Sequence, residues 1–272
     1  MTVKVMLAGC GNMGYAMLSG WLKSGKLRPG ETFVIEPNAE LRARAKALGS
    51  EVGSDAGEIP TGAVVPTLIV LAVKPQVIRD VTAGYQRFGD GRTTFLSIAA
   101  GTAMATFEEI LGERAPIIRC MPNTPASIGK GMMVTFANER VSDETLAFVA
   151  DLLSASGEVA SINDERLMDA VTAVSGSGPA YIFHFIECLT AAAESAGLPA
   201  ETAKLLAMQT VYGAASLAAE SGENPGVLRQ QVTSPNGTTA AALAVLMGED
   251  RLKQLVTEAV EAAKLRSIEL GR

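Results

Sequence analysis

The sequence predicts a two-part α/β protein, with a parallel sheet covered by helices over residues 1–163 and an all-α segment over residues 164–272. Three observations carry this reading. Unbroken apolar runs alternate with helical patterns through the first half of the chain. A glycine triplet separates the first run from the first helix. From about Ile162–Glu165 onward the pattern is almost entirely helical and rich in Ala and Leu.

The opening "VKVMLAGCGNMGYAMLSGWLKSG" is a strand, a glycine turn and a helix. Gly9, Gly11 and Gly14 form G-x-G-x-x-G. The first glycine permits the tight turn, the second lets a diphosphate approach the backbone, and the third allows close helix–strand packing. Asn12 and Met13 open the helix whose N-terminus would face that anion. A bare glycine triplet is also compatible with an ordinary βα turn. Its position after a strand, with a second strand "TFVIE" at the right distance, favours a Rossmann-type NAD(P)-binding domain.

Alternation then continues with a helix near Asn38–Leu48 and a strand at "TLIVLAV", inside the apolar run from about Ala63 to Val73. That run is broken by Pro66 and too short to cross a bilayer. A helix after Lys74-Pro75, a strand at "TTFLSIAA", a helix from about Ala103 to Leu111 and a strand at "PIIRCM" come next. "GMMVTFAN" reads as a further strand and Asp143–Ser154 as a helix. Continuous apolar strands separated by helices imply a parallel sheet buried on both faces. Ligands of such sheets bind beyond the carboxyl ends of the strands. That edge presents Ala72, Val73, Lys74 and Pro75, then Ala99, Ala100 and Gly101, and then Asn123, held between two prolines and expected near a nicotinamide.

Glu36 lies 22 residues after Gly14, where an acidic side chain accepts from a ribose 2′-OH and repels a 2′-phosphate. Asn38, Arg42 and Arg44 offer the opposite chemistry if Glu36 turns away, so both NAD and NADP stay open.

In the second half, "DERLMDAVTAVSGSGPAYIFHFIECLTAAAESAG" reads as one long helix interrupted at Ser175–Pro179. Glycine costs roughly 1 kcal/mol and proline roughly 3 kcal/mol in a helix interior, so the interruption marks a kink or a close approach. His184, among Phe183, Phe185 and Ile186, is expected to be buried and hydrogen-bonded ahead of catalytic. Helices near Pro199–Ser221, at "PGVLRQQV" and near Asp250–Leu270 complete the chain. Their broad apolar faces exceed what about 110 residues can cover, which predicts a homodimer built through them.

Composition narrows the function. A net charge of −6 argues against nucleic acid or an anionic membrane as the main partner. Three dispersed cysteines and one histidine argue against a disulfide framework or a metal site, and fit a reducing cytoplasm. The apolar start runs straight into the glycine motif, so no cleavable signal is expected.

"TSPNGTTAAAL", Thr233 to Leu243, carries more hydroxyls than a helix cap needs. Pro235 fixes φ, Gly237 is expected to open positive φ, and Ser or Thr can cap. One cap explains one hydroxyl; the surplus suggests an uncharged pocket for a carboxylate at a helix N-terminus.

"LRQQVTSPNGTTAAALAVL" resembles the signature segment of the pyrroline-5-carboxylate reductases. "LAGCGNMGYAM", "LAVKPQ", "RCMPNTPASIGKG" and "AVSGSGPAYIF" match in the same order over nearly the whole chain. The resemblance implies hydride transfer to the C=N carbon of 1-pyrroline-5-carboxylate, giving L-proline. It implies a helical domain intertwined with a partner's and a substrate site at the domain junction, and it allows a larger ring of dimers. Ser234, Gly237 and Thr238 would hold the substrate carboxylate, with Thr239 as the catalytic hydroxyl beside the ring nitrogen. The family's usual cofactor is NADPH; Glu36 departs from its usual residue and admits NADH.

Two other readings fit the sequence less well. β-Hydroxyacid dehydrogenases share a G-S-G segment but carry a lysine base four residues on, where this chain has Ile182. A non-catalytic dinucleotide-binding protein would have no use for Ser234 to Thr239.

Overall fold

The computed structural model describes residues 3–59 and 65–271, which leaves Ala63 and Val64 of the apolar run outside. The chain divides into two compact units, Met1–Ser177 with Ala263–Arg272, and Gly178–Ala262.

The first unit is built on an eight-stranded sheet of order β3-β2-β1-β4-β5-β6-β7-β8. Its strands are β1 (Val5–Ala8), β2 (Thr32–Ile35), β3 (Glu51–Gly53), β4 (Leu68–Leu71), β5 (Thr94–Ser97), β6 (Ile117–Met121), β7 (Gly131–Ala137) and β8 (Gly157–Ser161). Every residue of β1, β2, β4 and β5 is buried. Helices α1 (Asn12–Lys23), α2 (Ala39–Ala47), α3 (Ile78–Ala83), α4 (Met104–Leu111) and α5 (Asp143–Ser154) follow at the expected places. One core cluster joins Met17, Leu18, Trp21, Leu152 and Leu153 to Val5 and Leu7. The other joins Ile78, Tyr85, Phe107 and Leu111 to Met6, Ile69 and Phe95. Each side of the sheet thus closes its own core within this unit.

Three features depart from the sequence expectation. β7 runs antiparallel to β6, so the sheet is mixed. β3 and β8 are strands that hydrophobic patterning does not reveal: three of the five β8 residues are exposed and β3 is only three residues long. The helix expected from Asp164 with an interruption at Ser175–Pro179 begins as a 3-10 turn, continues as α6 (Met168–Val171), and passes through a π turn at Thr172–Gly176 before α7, which takes in Pro179. There Gly176 lies against the Met121 methyl, the movable end of a flexible side chain, and the interruption takes the form of the π turn.

Glu165 ties this segment down. Its carboxylate pairs with Arg119 and accepts the Met104 N–H at 2.6 Å, supplying the acceptor that the first turn of α4 lacks in its own cap. At the other end of the chain, Ser267 donates to Asp169 at 2.6 Å within the same unit.

The second unit consists of α7 (Gly178–Ser195), α8 (Ala200–Ser221), α9 (Pro225–Gln231), α10 (Thr238–Met247) and the greater part of α11 (Arg251–Leu270). Pro179 stands at the second position of α7, where its missing N–H costs nothing. Among the described residues no helix is long and apolar enough to cross a membrane.

Candidate functional site

Strand register sets the first half of the site. Ala8 pairs with both Ile35 and Leu71, and Leu71 with Ser97. Gly9, Glu36, Ala72 and Ile98 therefore form the next row, at the carboxyl edge of the sheet. The chain leaves β1 for β2 and β3 on one side and returns through β4 on the other. Such a reversal is where ligands of open α/β sheets bind, here at the carboxyl ends of β1 and β4.

Gly9 has φ +91°, and a Cβ there would sit 2.6 Å from the Ala72 carbonyl oxygen. A Cβ on Gly14 would lie 2.5 Å from the Gly9 carbonyl oxygen. Gly11 is different, because nothing lies within 4 Å of its would-be Cβ. Two glycines thus close the turn and the third opens onto free space. Gly11 is also the N-cap of α1, which has neither a side-chain cap nor an acidic residue in its first turn. An anion at Asn12, Met13 and Gly14 would complement the helix dipole. The cradle therefore fits a dinucleotide diphosphate.

Around it, Glu36 is 6% exposed. Its two oxygens accept the N–H groups of Cys10 at 2.7 Å and Asn38 at 2.9 Å. Asn38 caps α2, accepting from Glu40 and Leu41. Lys74 and Pro75 are exposed at the head of a short 3-10 turn beyond Ala72 and Val73. Ala99 is buried, with its N–H bonded to the Ser97 hydroxyl at 3.2 Å, and leads through Ala100 to Gly101 at φ +72°. Asn123 spans two segments of the protein: its Oδ1 accepts from Met132 N–H at 2.8 Å and its Nδ2 donates to the Ser175 carbonyl at 3.2 Å. Its amide thus anchors its own turn to the π turn.

Cys10, within the loop between Gly9 and Gly11, has its thiol pushed up to about 11, chiefly by burial and further by Glu36. Cys120 is pushed up to about 12 by burial. Both thiols are thus biased toward the neutral form, which disfavours a nucleophilic role.

The second group of expected site residues lies in the helical unit. Gly237 N–H donates to the Ser234 carbonyl at 3.0 Å, closing a turn over Pro235 and Asn236. The expected positive φ falls on Asn236, at +61°, and not on Gly237, whose φ is −81°. Proline second and positive φ third is the type II pattern, and asparagine tolerates that region. A Cβ on Gly237 would meet Ser234 Oγ, a hydroxyl that rotation of its own side chain clears.

Gly237 is also the N-cap of α10, which has no side-chain cap and no acidic first-turn residue. The expected capping by these hydroxyls is absent: Thr233 bonds back to the Arg229 carbonyl at 2.6 Å. Among the described residues, Ser234, Thr238 and Thr239 make no side-chain hydrogen bond. The turn leaves three hydroxyls and a bare helix start together.

His184 is not buried. Its side chain is 75% exposed, 3.0 Å from the Glu187 carboxylate on the next turn of α7. Phe183 and Phe185 beside it are exposed as well.

Sequence reasoning did not find the main-chain donors Cys10 N–H and Asn38 N–H, or the Ser175 carbonyl that holds Asn123. Backbone groups carry no residue-type signal, and only the fold brings them to the site.

Glycine loop, switch point and helical second unit define a class: nicotinamide-dinucleotide-dependent oxidoreductases with a Rossmann half and a helical half. The comparisons with known proteins narrow it. Residues 165–270 match the family model for pyrroline-5-carboxylate reductase dimerisation, and residues 4–101 match that for NADP oxidoreductase, coenzyme F420-dependent. A pyrroline-5-carboxylate reductase of Synechocystis sp. is 41% identical over all of both chains. The structure of the enzyme from Coxiella burnetii superposes with a TM-score of 0.93 at 35% identity, covering 100% of each chain. That of the Plasmodium falciparum enzyme, solved with NADP bound, gives 0.83 at 30% identity, covering 99% of this chain and 98% of its own. The chain belongs to the pyrroline-5-carboxylate reductase family.

Proposed function

We propose that this chain reduces the C=N bond of 1-pyrroline-5-carboxylate with a reduced nicotinamide dinucleotide, giving L-proline in the last step of its biosynthesis. One observation carries the assignment of the substrate site. The Ser234–Thr239 turn holds a bare helix start and three unused hydroxyls with no charged residue among them. Such a cradle suits a small carboxylate held by dipoles and hydroxyl donors.

In this reading Ser234, the Gly237 backbone and Thr238 hold the carboxylate. The Thr239 hydroxyl, half-buried, donates to the ring nitrogen. A reduced nicotinamide held here would supply a hydride for the imine carbon, and the chain's part is to see that the nitrogen gains a proton. A threonine hydroxyl is too weak an acid to end the step deprotonated, so a proton it gives must be replaced from water. No C–H or O–H proton has to be abstracted first, so no strong base is called for. Ile182 offers none where a hydroxyacid dehydrogenase carries lysine.

On the sheet unit, Gly9, Gly11, Asn12, Met13 and Gly14 would hold the diphosphate, and Glu36 with Asn38 the adenosine ribose. Ala72 to Pro75, with Ala99, Ala100 and Gly101, would line the rest of the dinucleotide groove, and Asn123 would fix its own turn beside the nicotinamide. The division at residues 163/164 is kept as the functional boundary, because the matched dimerisation segment begins at 165.

The working form in this reading is a homodimer formed through the helical unit. Phe183, Leu205, Val245 and Leu255 are 59%, 67%, 63% and 65% exposed in the single chain, a pattern that a second copy would cover. Sedimentation of the purified chain separates a dimer from a larger ring of dimers. A cytoplasmic setting is supported by three free thiols.

The assay is direct. Purified protein with pyrroline-5-carboxylate and NADH or NADPH should consume nicotinamide absorbance and form proline. No oxidation with either cofactor would leave only a dinucleotide-binding module.

A further inference from the structure

We propose that Glu36 makes this chain prefer NADH, because its carboxylate already fills the niche a 2′-phosphate would need. The inference rests on the glycine loop being the dinucleotide site.

A 2′-phosphate at the end of β2 must be met by N–H donors and cations. Here the donors are taken. Cys10 N–H and Asn38 N–H both point at Glu36, at 2.7 and 2.9 Å. The first-turn amides of Glu40 and Leu41 are satisfied by Asn38 Oδ1 at 2.9 and 3.1 Å. Of the two nearby cations one is tied to the main chain, and the other, Arg44, is stacked on a ring and keeps its N–H donors. Arg42 donates to the carbonyls of Glu36 and Pro37 at 2.7 and 2.9 Å, and the Arg44 guanidinium lies 4.1 Å from the centre of the Tyr15 ring. Glu40 adds a second carboxylate to the first turn of α2.

A phosphate would therefore face an anion fixed by two hydrogen bonds. A ribose hydroxyl would not. Each carboxylate oxygen has a second acceptor direction, and a neutral 2′-OH can donate into it. Were Glu36 turned outward and its two backbone donors bare, the same loop would favour the phosphate.

The test is equilibrium binding of NADH and of NADPH to the full-length protein without substrate, followed by nicotinamide fluorescence. NADH should bind about tenfold tighter or better, as like-charge opposition at a site requires. Glu36→Ser should shrink that ratio by about tenfold, mainly by tightening NADPH. Glu36→Gln, which keeps the shape and one acceptor, should shrink it in the same direction if the serine variant fails to fold. Equal or tighter NADPH binding by the unsubstituted protein overturns the inference and leaves the glycine-loop site standing. An unchanged ratio in a folded variant also overturns it. Binding of neither nucleotide removes the site, and the inference with it.

Discussion

In the sheet unit β1, β2, β4 and β5 are buried at every position, while in the helical unit α7 and α10 bury no residue and α8 buries only Ala203 and Ala207. Both units are apolar by composition, so the difference lies in what covers the apolar groups. The sheet packs helices from its own unit on both sides. The helices of the second unit turn Phe183, Leu205 and Leu255 outward, and a surface of that kind is finished by another subunit. The dinucleotide half is thus complete in one chain, whereas the substrate half is proposed to be complete only in the pair.

The sharpest way to break that contrast is a charge on α8. Leu205→Glu should leave the sheet unit folded, because the position is solvent-facing in the single chain. It should weaken self-association by roughly a hundredfold or more, as loss of a central apolar contact does. Sedimentation velocity reads the outcome; an unaltered dimer would place the interface elsewhere.

On the sheet side, Gly14→Ala should lower dinucleotide affinity by about tenfold or more. Its Cβ would meet the Gly9 carbonyl at 2.5 Å, and a shift of the loop backbone spoils the anion cradle. Calorimetric titration checks this, and self-association should not change.

The smallest effect concerns thiols. Burial and Glu36 raise Cys10 to about 11, and burial raises Cys120 to about 12. A raised thiol pKa means the neutral, unreactive form below that pH, so at pH 8 both should react with disulfide reagents only on unfolding. Exposed Cys188 should react faster in a monomeric variant than in the dimer. Reagent-release kinetics distinguish the three.

The fold was legible where burial writes a pattern. "VMLA", "TFVI", "LIVL" and "TFLS" are continuous apolar runs, and each is a strand. The edge strands at Glu51–Gly53 and Gly157–Ser161 were not, because a half-exposed edge needs no apolar run. Burial of His184 was expected from its aromatic neighbours, yet those neighbours face outward in the single chain; sequence shows that a surface is apolar but not what covers it. At the candidate site the residues were proposed from the sequence, and the local reasons the fold gives for them are mixed. Gly237 stood out for a positive φ, but that φ belongs to Asn236, and Gly237 itself lies against the Ser234 hydroxyl. A glycine in a sequence does not say which of its two freedoms is used. Glu36 was visible as an acid at the right spacing. The direction of its carboxylate depends on two backbone amides that only the folded loop supplies.

The uncharged turn, with one well-placed hydroxyl, is proposed to serve the imine. The most direct test of that role is Thr239→Val, which removes the hydroxyl and keeps the branched shape. Steady-state turnover with pyrroline-5-carboxylate should fall by roughly a hundredfold, the usual cost of losing one positioned donor, with reduced-nicotinamide binding unchanged. Near-normal turnover in a folded Thr239→Val protein would contradict the account.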